Sequence, residues 1–374
     1  MPDSQHIVIS LSSAQNAPAH LWIADVNSNY LAPLTMGNVS ESSPRVSPDG
    51  GNILYAQSDQ QLDIVSISVQ DGSAKTFIST GREENMAAWS ANQEKLAWVS
   101  NRSGPYEIWV RMPDGSERQA VTAADFPPGT NKWFFNPSLS PDGERLVYGR
   151  IDQAGVARLW ISSLAGGAPV RLTNTEPTGE GAGSWSPDGN RIAYLHVQGG
   201  NTSLMIAKAS GNVAPVVLRE NGPSLQEMPQ GAPEWSPTGE WITYHDQKGW
   251  NLVSPDGKRS EFLGNIETPY LAFSKDGKLL YGIQTGETDA GRDRVTLFSL
   301  DPVTLKQKVI KELGKDFRPD PTFILGIRFS ISPDGKSFVY STGKYRSDLW
   351  MLQGYRQPGW TDRLQAAISR RPKL

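Results

Sequence analysis

The stretch Trp185-Ser186-Pro187-Asp188-Gly189 contains one copy of a tetrapeptide, Ser-Pro-Asp-Gly, that recurs along the chain. Intact copies are Ser47–Gly50, Ser140–Gly143, Ser186–Gly189 and Ser332–Gly335, and degenerate copies are Ser90–Gln93, Ser236–Gly239 and Ser274–Gly277. Neighbouring copies begin 38 to 58 residues apart. A period of about 40–50 residues with strand patterns between the copies is typical of propeller blades. Proline, aspartate and glycine each favour a tight turn, so the tetrapeptide itself predicts a turn rather than a metal site.

Similar strand patterns surround each copy of the tetrapeptide. A short apolar strand, often ending in tryptophan, precedes the turn, and an alternating strand such as Ile192–Tyr194 follows it. A third strand resembling Leu159–Ile161 comes next; in the last repeat, Phe338–Tyr340 and Leu349–Met351 are the predicted second and third strands. Such small sheets bury their faces only against further copies. The repeat therefore predicts an all-β fold, a β-propeller of four-stranded antiparallel blades.

The number of blades depends on the two ends of the chain. The strands His6–Leu11, His20–Ala24 and Leu31–Thr35 match the second to fourth strands of a blade. If the tail Leu364–Arg370 donates the missing first strand, the ring has eight blades; if Thr361–Arg371 forms a capped helix, it has seven. We slightly favour eight blades in a single domain, residues 1–374, closed by its N- and C-terminal segments. An additional Ser254–Gly257 breaks the period and predicts a hairpin inside one blade.

Composition excludes several classes of function. The 36 basic and 39 acidic residues give a net charge of −3, which does not favour nucleic acid or anionic lipid. The absence of cysteine excludes disulfides, thiolate metal sites and cysteine nucleophiles. No apolar run approaches the roughly 18 residues of a membrane span, and the N-terminus shows no signal-peptide pattern. We expect no cofactor, and an extracytoplasmic or periplasmic location if a leader has been removed, or a cytoplasmic one otherwise.

The Trp-Ser-Pro-Asp-Gly units over residues 44–352 resemble the TolB-like β-propeller family, whose repeats are WD-repeat-like. The resemblance implies a bacterial propeller. Members serve as periplasmic protein-interaction hubs, extracytoplasmic sensor parts of regulators, or gating propellers of peptidases, and a few relatives resemble oligosaccharide lyases. This sequence shows no TolB-type α/β domain, winged helix or kinase segment, and no room for a hydrolase domain.

In a propeller, the loops between blades and those after the second strands share one face, where ligands usually bind. The three consecutive aromatics Trp133–Phe135, after Pro127-Pro128-Gly129, predict either a channel plug or a docking patch. The candidate partner-binding residues on this face are Arg102, Trp133, Phe134, Phe135, Glu227, Met228, Arg318, Phe323 and Arg346. We expect a non-catalytic propeller that binds a protein or peptide on this face, and a monomer.

A second hypothesis is a channel-mouth enzyme, a lyase or hydrolase acting on an acidic oligosaccharide. His196 and His245 fall at nearly equivalent positions in adjacent repeats, so they could form a metal pair or an acid–base couple. Arg150 would neutralise the carboxylate of the sugar. The alternative is that all three are ordinary polar residues at the rim of the channel. No acidic residue recurs at metal-ligand spacing beside the histidines.

Overall fold

The computed structural model describes residues 1–12, 18–37, 39–173, 179–211, 213–220, 232–287, 293–317 and 329–355. The chain divides into two compact units, residues 1–60 with 344–374 and residues 61–343. In both units the described secondary structure is almost entirely antiparallel strand, and the fold is a β-propeller. That the whole chain acts as one domain stays a prediction.

The first unit contains two antiparallel groups of strands. Strands β1 (His6–Ser12), β2 (Ala19–Asp25) and β3 (Leu31–Pro33) form one sheet, as predicted from the sequence. Strand β4 (Ser40–Val46) pairs with the start of β5 (Asn52–Ser68), across the turn Ser47–Gly50. Leu21, Ile53 and Tyr55 are the buried centre of this unit.

The second unit contains six sheets. The first three have four strands each: β7 (Glu84–Trp89) to β10, β11 to β14, and β15 to β18. Their other strands are β8 (Leu96–Ser100), β9 (Glu107–Arg111), β10 (Glu117–Val121), β11 (Asn131–Leu139), β12 (Arg145–Asp152), β13 (Ala157–Ser163), β14 (Val170–Arg171), β15 (Gly179–Trp185), β16 (Arg191–Gln198), β17 (Asn201–Lys208) and β18 (Val216–Arg219). Short 3-10 turns at Ala123–Asp125 and Lys315–Phe317 are the only helical elements among the described residues.

The remaining three sheets complete the second unit. The fourth consists of β19 (Ile242–Asp246), β20 (Gly249–Val253) and β21 (Ser260–Gly264), with Trp235 bridging to Ile242. The fifth consists of β22 (Ala272–Phe273), β23 (Leu280–Glu287), β24 (Asp293–Leu300) and β25 (Gln307–Leu313). The sixth combines β26 (Ser330–Ile331), the start of β27 (Ser337–Gln353), the end of β5 and β6 (Ala74–Ile78).

The Ser-Pro-Asp-Gly segments form the predicted turns. In the second sheet, Gly143 N–H donates to Ser140 O at 2.8 Å, and Gly143 has a φ of +69°, which suits glycine. The Ser140 hydroxyl and the Glu144 N–H both donate to the Asp142 carboxylate. The segment Ser254–Gly257 joins β20 to β21, so the predicted hairpin inside one blade is confirmed.

Side chains from one turn bind the next sheet along the ring. Lys95 Nζ donates to Gly143 O at 3.0 Å, and Arg145 Nη2 donates to Gly189 O at 2.9 Å. The Arg145 guanidinium also lies 4.7 Å from the ring centre of Trp185. Trp89 N–H donates to Ser330 Oγ at 3.0 Å, so the first sheet of this unit contacts the sixth. These bonds join the first sheet to the second, the second to the third and the first to the sixth.

Two predicted features differ from the structure. The predicted second and third strands of the last repeat are one continuous strand, β27, and β5 is likewise continuous over 17 residues. In β5 the segment Gln57–Gln61 contains neither glycine nor proline, so nothing in it imposes a turn. The count of eight blades is not confirmed: the described residues form seven sheets, and the tail Leu364–Arg370 lies outside them.

Candidate functional site

Arg102 follows β8 in the first sheet and is bound by acids of its own sheet. Its Nε and Nη2 donate to the two carboxylate oxygens of Glu84 at 3.2 and 3.0 Å, and its Nη1 donates to Glu117 at 2.6 Å. The guanidinium also lies 4.7 Å from the ring centre of Trp109. Arg102, a candidate partner-binding residue, therefore binds the Glu84 carboxylate of its own sheet in a bidentate geometry.

Glu84 belongs to a set of buried glutamates that the sequence analysis did not assign a structural role. Besides Arg102, Glu84 accepts hydrogen bonds from Trp98 Nε1 at 2.6 Å and from the Thr80 hydroxyl. In the third sheet Glu180 accepts from the Leu159 N–H at 3.1 Å and from the Thr173 hydroxyl. A threonine ending one sheet thus binds a glutamate beginning the next. The signal in the sequence is a threonine four to seven residues before a glutamate.

Arg150, near the end of β12, is nine-tenths buried and binds the loop that precedes β11. Its Nη2 donates to the carbonyl oxygen of Thr130 at 2.6 Å and to the Thr130 hydroxyl at 2.7 Å, and its Nε donates to Asn131 Oδ1 at 3.2 Å. The guanidinium lies 4.3 Å from the ring centre of Phe126. Burial lowers the pKa of Arg150 from its ordinary value, and the partners named here are all neutral.

The aromatic run Trp133–Phe135 lies in strand β11 and not in a loop, which corrects the prediction. Phe134 is buried between Phe126 and Tyr148. The centre of its ring lies 5.7 Å from that of Phe126 and 5.8 Å from that of Tyr148. Phe135 is also buried, and a Cβ placed on Gly149 would lie 2.1 Å from its ring. Neither phenylalanine can form a plug or a docking patch. Trp133 differs, since its side chain is 38% exposed.

The loop before Trp133 presents a further apolar surface. Pro127 and Pro128 are exposed, and Thr130 N–H and Oγ1 both donate to Pro127 O, at 3.2 and 2.7 Å. The hydrogen bonds from Arg150 hold Thr130 in place, and the two prolines restrict the backbone of the loop before it. We call Pro127, Pro128 and Trp133 the loop corner.

His196 and His245 are not equivalent, contrary to the expectation. His196 is ten residues after the turn serine Ser186, whereas His245 is nine residues after Ser236. Because successive side chains of a strand point to opposite faces, the two histidines lie on opposite faces of their sheets. His196 pairs in register with Glu180 and Ser203.

His245 packs against its own sheet. Its ring meets Trp250 edge-on, with ring centres 5.3 Å apart. Burial lowers the pKa of His245 from its ordinary value. The acid–base or metal pair of His196 and His245, with Arg150 beside it, stays a prediction.

Several predicted residues cannot be placed. Glu227, Met228, Arg318 and Phe323 lie outside the described residues, and Arg346 lies in β27, with its side chain outside the description. Within the described ranges, no three histidine, aspartate or glutamate side chains are grouped so that they could hold a metal ion. The same part of the chain contains no helix with the length and hydropathy of a membrane span.

Comparison with known proteins identifies relatives. The family model of the TolB beta propeller domain matches residues 56–265, more than half of the chain. An uncharacterized protein of Agrobacterium fabrum is 28% identical over 186 residues, which are 44% of this chain and 60% of that protein. The Tol-Pal system protein TolB of Francisella tularensis is 22% identical over 240 residues, 63% of this chain and 52% of that protein. The chain thus spans a little over half the length of these relatives.

Solved structures show the same fold. A putative TolB from Agrobacterium tumefaciens superposes with a TM-score of 0.57 at 18% identity, covering 76% of this chain and 99% of that one. TolB from Acinetobacter baumannii superposes with a TM-score of 0.50 at 15% identity, covering 81% and 78%. At these identities the likeness shows the fold alone.

Proposed function

Because the chain belongs to the TolB β-propeller family, we propose that it is a non-catalytic propeller that binds a protein or peptide partner through the loop corner. Family membership supports protein binding, since the name of the Francisella relative assigns that protein to the Tol-Pal system. The same relationship supports a periplasmic or otherwise extracytoplasmic location in a bacterium. We propose that the chain works as one domain.

The main support for this docking surface is that Trp133 is exposed on a backbone that hydrogen bonds hold in place. A tryptophan that is 38% exposed presents a large apolar area, and exposed apolar side chains on a rigid support are typical of binding hot spots. The two exposed prolines beside it lose little conformational entropy on binding. The loop corner lies where the chain passes from the first sheet to the second.

Arg150, one residue of the enzyme hypothesis, supports the binding proposal instead. Arg150 is engaged by Thr130 and Asn131, so it positions the loop corner.

A matched pair of variants tests the proposal. Trp133→Ala removes the exposed ring of the loop corner, and Phe262→Ala removes a ring that is 52% exposed on β21, in the fourth sheet. Immobilised wild-type protein and both variants are incubated with the same bacterial periplasmic extract, and bound proteins are quantified. We expect Trp133→Ala to bind one specific protein at least about tenfold more weakly than the wild type, which corresponds to about 1.4 kcal/mol of binding free energy. Retention by Trp133→Ala together with loss in Phe262→Ala would reject the loop corner.

A further inference from the structure

The end of strand β27 exposes three consecutive apolar side chains in the first unit. Leu349, Trp350 and Met351 are 75%, 50% and 56% exposed. Isolated exposed apolar residues are ordinary, but three consecutive ones leave both faces of this strand segment apolar. Leu54, on the neighbouring strand β5, is also 40% exposed.

This part of β27 is also the edge of its sheet. The order is β26-β27-β5-β4, and β26 pairs only with Phe338 and Val339. Among the described residues, no strand therefore pairs with the outer side of Ser347–Gln353. Natural edge strands are protected by charged side chains, above all lysine, by proline or by a bulge. Ser347–Gln353 contains neither lysine nor proline, and its one charged residue is Asp348. Its backbone N–H and C=O groups can accept another strand.

Both faces of the strand are apolar, which restricts what can cover it. Leu352 packs on the core formed by Ile53 and Tyr55, so Trp350 lies on that face and Leu349 and Met351 lie on the other. A flat protein surface would cover only one of these faces. A strand added at the edge, with apolar side chains on both of its own faces, covers both.

We propose that this edge pairs with the same edge of a second copy of the chain, forming a two-fold dimer through antiparallel β27 strands. The strand is self-complementary about Trp350. In that register Leu349 lies opposite Met351 of the other copy, Trp350 opposite Trp350, and Ser347 opposite Gln353. The only charged side chain in Ser347–Gln353 is Asp348, which lies opposite Leu352, so the pairing brings no like charges together.

Sedimentation equilibrium over a wide concentration range tests this association. We expect a monomer–dimer equilibrium for the wild-type protein, and dissociation constants raised at least about tenfold by Leu349→Lys and by Met351→Lys. Val303→Lys is the matched control, because Val303 is 89% exposed in a turn of the second unit. Melting curves confirm that each variant is folded. A wild-type protein that sediments only as a monomer overturns the proposal, and this includes the case in which another segment of the same chain covers the edge.

Single cysteines test the register, since the chain contains none. Trp350→Cys places the two thiols opposite each other, so we expect an intermolecular disulfide on mild oxidation. Asp348→Cys places the two α-carbons roughly 13 Å apart, beyond the reach of a disulfide, so we expect little cross-linking. A dimer that cross-links equally at both positions, or that persists in Leu349→Lys, contradicts the pairing. None of these substitutions touches the loop corner, so failure here leaves the proposed function unaffected.

Discussion

The Arg150 guanidinium donates to the carbonyl oxygen of Thr130 at 2.6 Å, and this bond joins strand β12 to the loop corner. A buried arginine whose named partners are Thr130 and Asn131, stacked on Phe126, serves to fix a backbone conformation. The cation that the sequence pattern suggested for a substrate instead holds the loop that precedes Trp133.

Removing this guanidinium should destabilise the protein. We expect Arg150→Ala to lower the free energy of unfolding by about 2–4 kcal/mol, because it removes a buried side chain and leaves three half-buried acceptors without donors. Urea denaturation measures the change. The control is Arg294→Ala, whose half-exposed ion pair with Glu312, at 3.5 Å, should contribute less than about 1 kcal/mol. Equal losses in the two variants would contradict the role assigned to Arg150.

Phe134 should behave as a core residue. Because its ring packs between Phe126 and Tyr148, Phe134→Ala should lower the free energy of unfolding by about 3–5 kcal/mol. Trp133→Ala removes a neighbouring ring that is 38% exposed and should cost much less. Thermal and urea unfolding of the two variants compare them directly. The assignment fails if Trp133→Ala is the more destabilising.

Gly149 should tolerate no side chain. A Cβ at this position would lie 2.1 Å from the Phe135 ring, so Gly149→Ala should destabilise by about 1–3 kcal/mol or more. Gly286→Ala is the control, since a Cβ there meets nothing within 4 Å. Urea unfolding curves of the two alanine variants provide the comparison. A neutral Gly149→Ala would show that Phe135 does not occupy this position.

The turn aspartates should make stability depend on acid pH. The hydroxyl of Ser140, foremost, and the N–H of Glu144 hold the pKa of Asp142 below its ordinary value of 3.8. A carboxyl whose pKa is lowered by folding stabilises the folded state above pH 3.8, and this contribution is lost as the pH falls through the lower, folded value. The stability difference between wild type and Asp142→Asn should therefore be present at pH 7 and shrink below pH 4. A difference that does not change with pH would contradict this account.

The sequence predicted the repeat and its turns because their residue types impose local geometry. Pro141, Asp142 and Gly143 favour a tight turn wherever they occur, so the tetrapeptide located the strands on both sides of it. The long strands β5 and β27 were not predicted, because nothing local distinguishes a turn between two strands from their continuation.

The candidate site was less predictable because it depends on single-residue register. Three consecutive aromatics do not reveal which ring is exposed, and Trp133 differs from Phe134 only through its position in β11. One residue of offset likewise separates His196 from His245. Whether an arginine meets a ligand or its own chain depends on tertiary contacts, such as those of Arg102 with Glu84 and of Arg150 with Thr130.

Site-specific photo-crosslinking gives the most direct test of the loop corner as the docking surface. A photoreactive phenylalanine analogue replaces Trp133 in one protein and Phe262 in another, and each is irradiated in the same periplasmic extract. The account predicts one dominant adduct from position 133 and none of that species from position 262. Adducts of the same protein from position 262, with none from position 133, would contradict it.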